Sequence, residues 1–297
     1  MLSSSDIAFY RDQGYLVVPD VLDAATLDHV RREMARILDG ARVVTTHTNM
    51  YDLEPGHRPD APRVRRVKTP HRFFPVFQDL MRHPRLVGVL QDLLGPALRL
   101  TGSKINLKSP RYGSPVEWHQ DWAFYPHTND DLLAVGVMLD DCTSDNGPLM
   151  VVPRSHHGQI FDHHAPDGYF CGAIDPAAIR DEIARAVPLT GRAGSMSFHH
   201  VRLVHGSAQN VSSLPRTLLL YEYAAADAWP LLGVADFADF KARQVTGEPS
   251  IEPRVTPVPV RMPLPPARSQ GSIYENQSDA SRRYFPVTDE PAPAPRT

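Results

Sequence analysis

The chain is poor in cysteine: it has two, Cys142 and Cys171. Two thiols cannot build the disulfide framework of a small secreted domain, and two reduced thiols fit a cytoplasmic protein. Long apolar runs are missing as well. None approaches the ~20 residues needed to cross a bilayer. The N-terminus, MLSSSDIAFYRDQGYLVV, has no basic stretch leading into an apolar one, so a secretory signal is not expected. Positive charge is not in excess either. A formal net charge of −3 gives no electrostatic footing for nucleic acid or for an anionic membrane surface. No internal repeat is visible. The expectation is a soluble, cytoplasmic protein without nucleic-acid or membrane partners.

What the chain does have is enough apolar sequence for a large core, with 297 residues of which 42% are hydrophobic. Residues 5–40 read as helix, strand, helix. Asp23 is the candidate N-cap, Leu27, Val30, Met34, Ile37 and Leu38 form an apolar stripe, and Gly40 is the expected stop. Residues 41–66 are polar and basic without a clear period and read as a loop. Residues 74–95 read as two short helices split at His83-Pro84 and closed by Gly95.

After Pro96 the texture changes to short β-rich segments, 98–107, 132–140, 149–153, 194–205 and 216–223, separated by turn signals such as Asp145-Asn146-Gly147-Pro148. Residues 176–187 read as a helical insertion. From Pro249 onward the chain holds 11 of its 29 prolines and is expected to be extended and irregular. The predicted architecture is one domain over 1–297, mainly β with flanking helices. It comprises a helical and strand preface (1–97), an antiparallel jelly-roll core (98–225) and a proline-rich C-terminal segment (249–297).

Within VEWHQDWAFYPH (116–127), His119 and Asp121 sit at i and i+2. On an extended segment these project to one face, close enough to grip one ion. A two-histidine, one-carboxylate set leaves coordination positions open and suits non-haem Fe(II) handling of dioxygen. The best candidate for the third ligand is His205, read as the end of the 194–205 strand. Eleven residues later Arg216 opens RTLLLYEY. An arginine planted on a barrel wall behind a metal makes sense as a two-pronged clamp for the far carboxylate of a bound oxo-diacid. The adjacent pairs His156-His157, His163-His164 and His199-His200 are less suited to one metal, because neighbours on a strand face opposite ways. His127, His199 and His200 read as hydrogen-bonded structural residues.

His119-x-Asp121, then HGSAQN from His205 to Asn210 and Arg216 eleven positions after His205, resemble the phytanoyl-CoA dioxygenase family of Fe(II)/2-oxoglutarate-dependent dioxygenases. NGPLMVVPRSH (146–156) and the preface with DQGYLVV fit the same family, so the likeness spans roughly 5–225. SKINLKSP and WHQD are similar to ectoine-type small-molecule hydroxylases. The resemblance implies a double-stranded β-helix (cupin-like) core, iron held by His119, Asp121 and His205, and 2-oxoglutarate and dioxygen as co-substrates. It also implies that Asn106 hydrogen-bonds the co-substrate. Lys104 stands two residues away on the same strand face and is either functional or a solvated lysine. Ser207 is either a partner of the co-substrate carboxylate beside Arg216 or a turn serine. Trp122, Phe124 and Tyr125 divide between core wall and substrate pocket.

Three positions depart from that pattern. Gly102 stands where ectoine hydroxylases carry a glutamine, Tyr125 replaces a tryptophan, and the usual PGSH is Pro153-Arg154-Ser155-His156. The first two argue against ectoine itself. Retention of Asp121 argues against halogenation, which needs a small residue there. The expected activity is hydroxylation of an unactivated carbon of a small metabolite, amino-acid-type or natural-product substrate, with release of succinate and CO2. The alternatives are desaturation, cyclisation or epimerisation at the same iron, or a non-catalytic cupin-like binding protein. Arg63, Arg65, Arg66 and Lys68, at the end of the 41–66 loop, either lie over the pocket and favour an anionic substrate or form a solvated basic turn.

Overall fold

A computed structural model describes residues 1–287; the final ten positions of the proline-rich tail lie outside the described residues. In chain order the strands are β1 (Tyr15–Val18), β2 (Tyr51–Leu53), β3 (Val64–Lys68), β4 (Leu98–Lys108), β5 (Val116–His119), β6 (Leu132–Met138), β7 (Leu149–Val151), β8 (Val187–Leu189), β9 (Met196–His200), β10 (His205–Ser207), β11 (Arg216–Ala225) and β12 (Gln244–Thr246). The helices are α1 (Ser4–Gln13), α2 (Ala24–Gly40), α3 (Pro70–Phe73), α4 (Pro75–Leu80), α5 (Pro84–Leu94), α6 (Arg180–Ile183), α7 (Phe237–Ala242) and α8 (Ile273–Asn276).

The strands form two antiparallel sheets. The larger runs β1-β9-β6-β11-β4-β3-β2, with β12 also on β4, and the smaller runs β5-β10-β7-β8. This is the expected jelly-roll core with helices outside. Its inner and outer faces follow from period-two alternation. Leu133, Val135 and Val137 of β6 and Leu219, Tyr221 and Tyr223 of β11 face outward and join one large cluster with Leu27, Val30, Met34 and Ile37 of α2, Phe77 of α4 and Leu86 of α5. Each such side chain contributes about 1.5–3 kcal/mol when fully buried. The phenols of Tyr221 and Tyr223 donate to Phe77 O (2.6 Å) and Met81 O (2.7 Å), which ties the helical layer to the sheet. The alternate residues Lys104, Asn106, Leu218 and Leu220 face inward, toward the space between the sheets.

Local signals set most helix ends. Ser3 and Asp6 close a capping box on α1, and Gly14 ends it in the left-handed region at φ 81°. The Asp23 carboxylate accepts from Thr26 N (2.7 Å) to start α2. Gly40 does not stop α2. It keeps a helical backbone, and the chain tightens into a 3-10 turn over Ala41–Val43. Tyr51 braces this end of the helix: its hydroxyl donates to Ile37 O (2.7 Å) and would lie only 3.1 Å from a side chain at position 40.

Three other expectations need revision. The 41–66 stretch is not all loop, because β2 and β3 pair as a hairpin and β3 extends the large sheet alongside β4. The single strand expected over 194–205 is two strands in different sheets. The chain turns after His200, where Leu203 N donates to His200 O (2.9 Å), so His205 begins β10 rather than ending β9. Residues 176–187 hold only a 3-10 turn and the four-residue α6 before β8 begins. Among the described residues no helix is long and apolar enough to cross a membrane.

Candidate active site

His119 ends β5 and His205 opens β10, and the two are directly opposed across the antiparallel pair, with ring centroids 4.0 Å apart. Each ring is fixed from behind. His119 Nδ1 donates to Glu117 O (2.8 Å) and His205 Nδ1 donates to Leu203 O (2.9 Å), which leaves both Nε2 atoms facing the space between the sheets. Asp121 arrives by a route other than strand alternation. It opens a 3-10 turn, Asp121–Ala123, that swings its carboxylate under the two rings. Asp121 Oδ1 lies 3.7 Å from His119 Nε2 and 4.0 Å from His205 Nε2.

The ligand atoms of these three buried residues lie within 4.8 Å of one another. No Lys or Arg forms an ion pair with Asp121 among the described residues, and its carboxylate oxygens face His119, His205 and His199. Burial pushes both imidazoles down, His205 to about 4, and keeps them neutral. Burial also works against the Asp121 carboxylate, but His205, His199 and Lys104 reverse this and hold it well below the usual carboxylate range. Two neutral imidazoles and a carboxylate are the forms a divalent metal takes up. A second grouping, His47, Asp52 and Glu275, lies equally close. Its acids are already met by cations, with Lys68 Nζ 2.9 Å from Asp52 and Arg65 paired with Glu275.

The inner face of the large sheet supplies much of the rest of the pocket. Arg216 is buried at the start of β11. Its guanidinium donates to Gly147 O (3.0 Å), Asn106 O (3.4 Å) and Ser207 Oγ (3.3 Å), with no carboxylate partner among the described residues. Asn106, on β4, accepts from Arg66 Nε (2.9 Å) at its side-chain oxygen, which leaves its amide nitrogen toward the cavity. Ser207 donates its hydroxyl proton to Gly147 O (3.0 Å) and accepts from Lys108 Nζ (2.6 Å), so it is committed to the wall around Arg216. Lys104 lines the cavity while paired at 2.5 Å with Glu222. Gly102 allows that pair, since a side chain there would meet the Glu222 carboxylate at 2.3 Å.

The three aromatics separate. Phe124 packs edge-on against His119 (5.7 Å) and Phe170 (5.0 Å). Tyr125 borders the outer mouth of the pocket with Phe124, Lys104 and Glu222. Trp122 is turned away into a cluster with Leu132, Val201 and Ala224, and its indole N–H donates to Pro259 O (2.9 Å).

Sequence reasoning missed Lys108, Ile273 and Tyr274, read His199 only as a structural residue, and left Arg66 between a place over the pocket and a solvated basic turn. His199 of β9 places Nε2 3.5 Å from Asp121 Oδ2. Arg66, from the hairpin read as a loop, lines the cavity beside Asn106, its register partner. Lys108 is buried beside Ser207. Tyr274 and Ile273, from the proline-rich tail, close the cavity from outside. The only available signal for these was strand parity, which aligns Lys104, Asn106 and Lys108 and could have paired Arg66 with them had β3 been recognised.

The model of the phytanoyl-CoA dioxygenase (PhyH) family matches residues 10–218. The chain is 37% identical over 279 residues to a probable alpha-ketoglutarate-dependent hypophosphite dioxygenase of Stutzerimonas stutzeri, covering 93% of this chain and 97% of that protein. It is 30% identical over 241 residues to the L-proline trans-4-hydroxylase of Streptomyces griseoviridis, covering 75% and 86%. Among solved structures, that of EctD from S. alaskensis with bound Fe superposes with a TM-score of 0.66 at 25% identity, covering 89% of each chain. With an iron-type donor set formed by two histidines of one sheet and a carboxylate from the adjoining turn, and on the other sheet a buried arginine without a carboxylate partner among the described residues, the chain belongs to the phytanoyl-CoA dioxygenase family and is an Fe(II)- and 2-oxoglutarate-dependent dioxygenase.

Proposed function

We propose that this dioxygenase oxidises a small, singly charged oxoanion, with hypophosphite the first candidate. The observation that carries the reading is the charge of the cavity. Among the described residues Asp121 is the only carboxylate lining it, against Arg66, Lys104 and Arg216. Lys104 is balanced by Glu222. Once a divalent ion and a doubly charged 2-oxoglutarate are counted, the two arginines and Asp121 leave one positive charge in excess. A buried charge without a counter-ion is costly, and a monoanion resolves it. The likeness to the hypophosphite dioxygenase over nearly its whole length supports the same class of substrate.

In this reading His119, Asp121 and His205 hold Fe(II), and Arg216 receives the far carboxylate of 2-oxoglutarate, oriented by Ser207 and Gly147. Asn106 offers its amide N–H to the co-substrate. Arg66 and Lys104 attract the substrate anion, while Phe124 shields His119 from water. The bound iron and 2-oxoglutarate supply the oxidation: one atom of dioxygen goes to succinate with loss of CO2 and the other to the substrate. For hypophosphite the balance is one P–H bond replaced by P–OH, one phosphite formed, and one succinate and one CO2 released per dioxygen.

The test compares hypophosphite, L-proline and ectoine as substrates of the Fe(II)-loaded protein, with succinate measured in solution and phosphorus products by 31P NMR. The expected result is phosphite and succinate in equal amounts. Turnover of proline or ectoine with no hypophosphite-dependent succinate would overturn the proposal in favour of carbon hydroxylation.

A further inference from the structure

The family match ends at residue 218, yet the cavity is not closed by residues 10–218. Its outer wall comes from the C-terminal segment, in which the single turn α8 brings Ile273 and Tyr274 against the mouth. Several contacts hold that turn in place. Ser272 and Glu275 form a capping box, with Ser272 Oγ donating to Glu275 Oε2 (2.6 Å), and Arg65 pairs with the same carboxylate group. Further along, Gln277 accepts from Glu117 N (2.9 Å) and donates to Gly172 O (2.8 Å), stitching the segment to the strand that carries His119.

Tyr274 is 8% exposed, and its hydroxyl has no hydrogen-bond partner among the described residues. An orphaned buried hydroxyl is unfavourable by roughly 1–3 kcal/mol, so its place on a cavity wall points to a partner inside. Its position identifies which one. The ring lies against the Arg66 guanidinium (5.0 Å), Arg66 donates to Asn106, and the Asn106 carbonyl accepts from Arg216. Tyr274 therefore stands at the Arg216 end of the cavity. Tyr125 stands at the Asp121 end, where burial and then that carboxylate raise its phenol. Burial raises the Tyr274 phenol, with Arg66 and Arg216 partly opposing, and it remains a protonated donor at neutral pH.

We infer that the Tyr274 hydroxyl donates a hydrogen bond to the far carboxylate of 2-oxoglutarate, alongside Arg216, so that the C-terminal segment is part of the co-substrate site. This rests on the reading of Arg216 as the carboxylate anchor. It makes Tyr274 a binding residue for 2-oxoglutarate and gives the tail a reason to close once the co-substrate is seated.

The experiment uses the full chain loaded anaerobically with Fe(II), and follows the visible charge-transfer band that a chelated 2-oxo acid gives. Two ligands are titrated: 2-oxoglutarate, and 2-oxobutyrate, which has the same chelating end but no far carboxylate. Tyr274→Phe should weaken 2-oxoglutarate about tenfold, the effect of one lost hydrogen bond to a charged group, and leave 2-oxobutyrate unchanged. Hydrogen exchange of residues 270–278 should slow on adding 2-oxoglutarate to the wild type and slow less in the variant. Equal 2-oxoglutarate affinity in Tyr274→Phe and wild type overturns the inference, as does an equal loss for both ligands. Arg216→Met separates the two readings. If it too spares 2-oxoglutarate, the anchor assignment falls and the Tyr274 inference falls with it; if it loses 2-oxoglutarate alone, the anchor stands whatever Tyr274 does.

Discussion

The two oxygens of Asp121 are shared between the sheets: Oδ1 faces His119 and His205 of the small sheet, and Oδ2 stands 3.5 Å from His199 Nε2 of the large one. His199 thus orients a ligand without being placed as one. His199→Ala should weaken Fe(II) or Co(II) binding by 10–100-fold, the usual effect of losing such a support, with far-UV circular dichroism unchanged. His199→Gln should recover part of it. An unchanged metal affinity in the alanine variant would show that Asp121 is held by its turn alone.

Arg216→Lys keeps the charge but loses the fork, of which Nε is held by Gly147 O at 3.0 Å. The KM for 2-oxoglutarate should rise at least about tenfold while kcat falls less, because a point charge cannot reproduce a two-pronged contact. Steady-state kinetics at saturating substrate checks this. A lower kcat at constant KM would place Arg216 outside co-substrate binding.

His127 and His156 are buried, and burial lowers each from the ordinary 6.5 to about 4. Between those values the unfolded chain binds protons that the folded chain refuses. Stability is therefore full above pH 6.5 and lost as the pH falls toward 4, by on the order of 1–2 kcal/mol per group at pH 5. Urea unfolding at pH 7 and pH 5 measures it. His127→Asn should reduce the difference between the two pH values; an identical difference would remove His127 from the account.

Gly14 joins the helical preface to the core. Its φ is 81°, and a side chain there would meet His156 Nδ1 at 2.4 Å. Gly14→Ala should lower stability by about 1–3 kcal/mol, through backbone strain and forced movement of His156. The effect should appear as a drop in Tm with metal affinity intact, since neither residue touches the site.

The parts legible in the sequence are those encoded over short range. His119 and Asp121 two apart, His205 and Arg216 eleven apart, and the caps at Asp23 and Gly95 all announce themselves through local spacing and turn chemistry. Asp121 shows how a sound expectation can rest on the wrong geometry: the pair does meet, but through a 3-10 turn rather than strand alternation. The site roles of His199 and Tyr274 were illegible, and that of Arg66 was legible only as one of two alternatives, for a different reason. These residues reach the cavity only because β3 lies beside β4, β9 beside β6, and the tail folds back, and these are long-range pairings with no local period. The 194–205 stretch failed similarly. Both of its halves favour a strand, and only the packing of two sheets dictates a turn between them.

That turn has a mechanical consequence. His199 and His205 are six residues apart in the chain yet sit in opposite layers of the jelly roll, with Asp121 between them. An ion gripped by His119, Asp121 and His205 would be held from the small-sheet side, and the large sheet would feel it only through the single contact of His199 with Asp121. Loss of metal should therefore loosen the small sheet first, and the protection gained on loading should be greatest in β5 and β10 and smaller in β9.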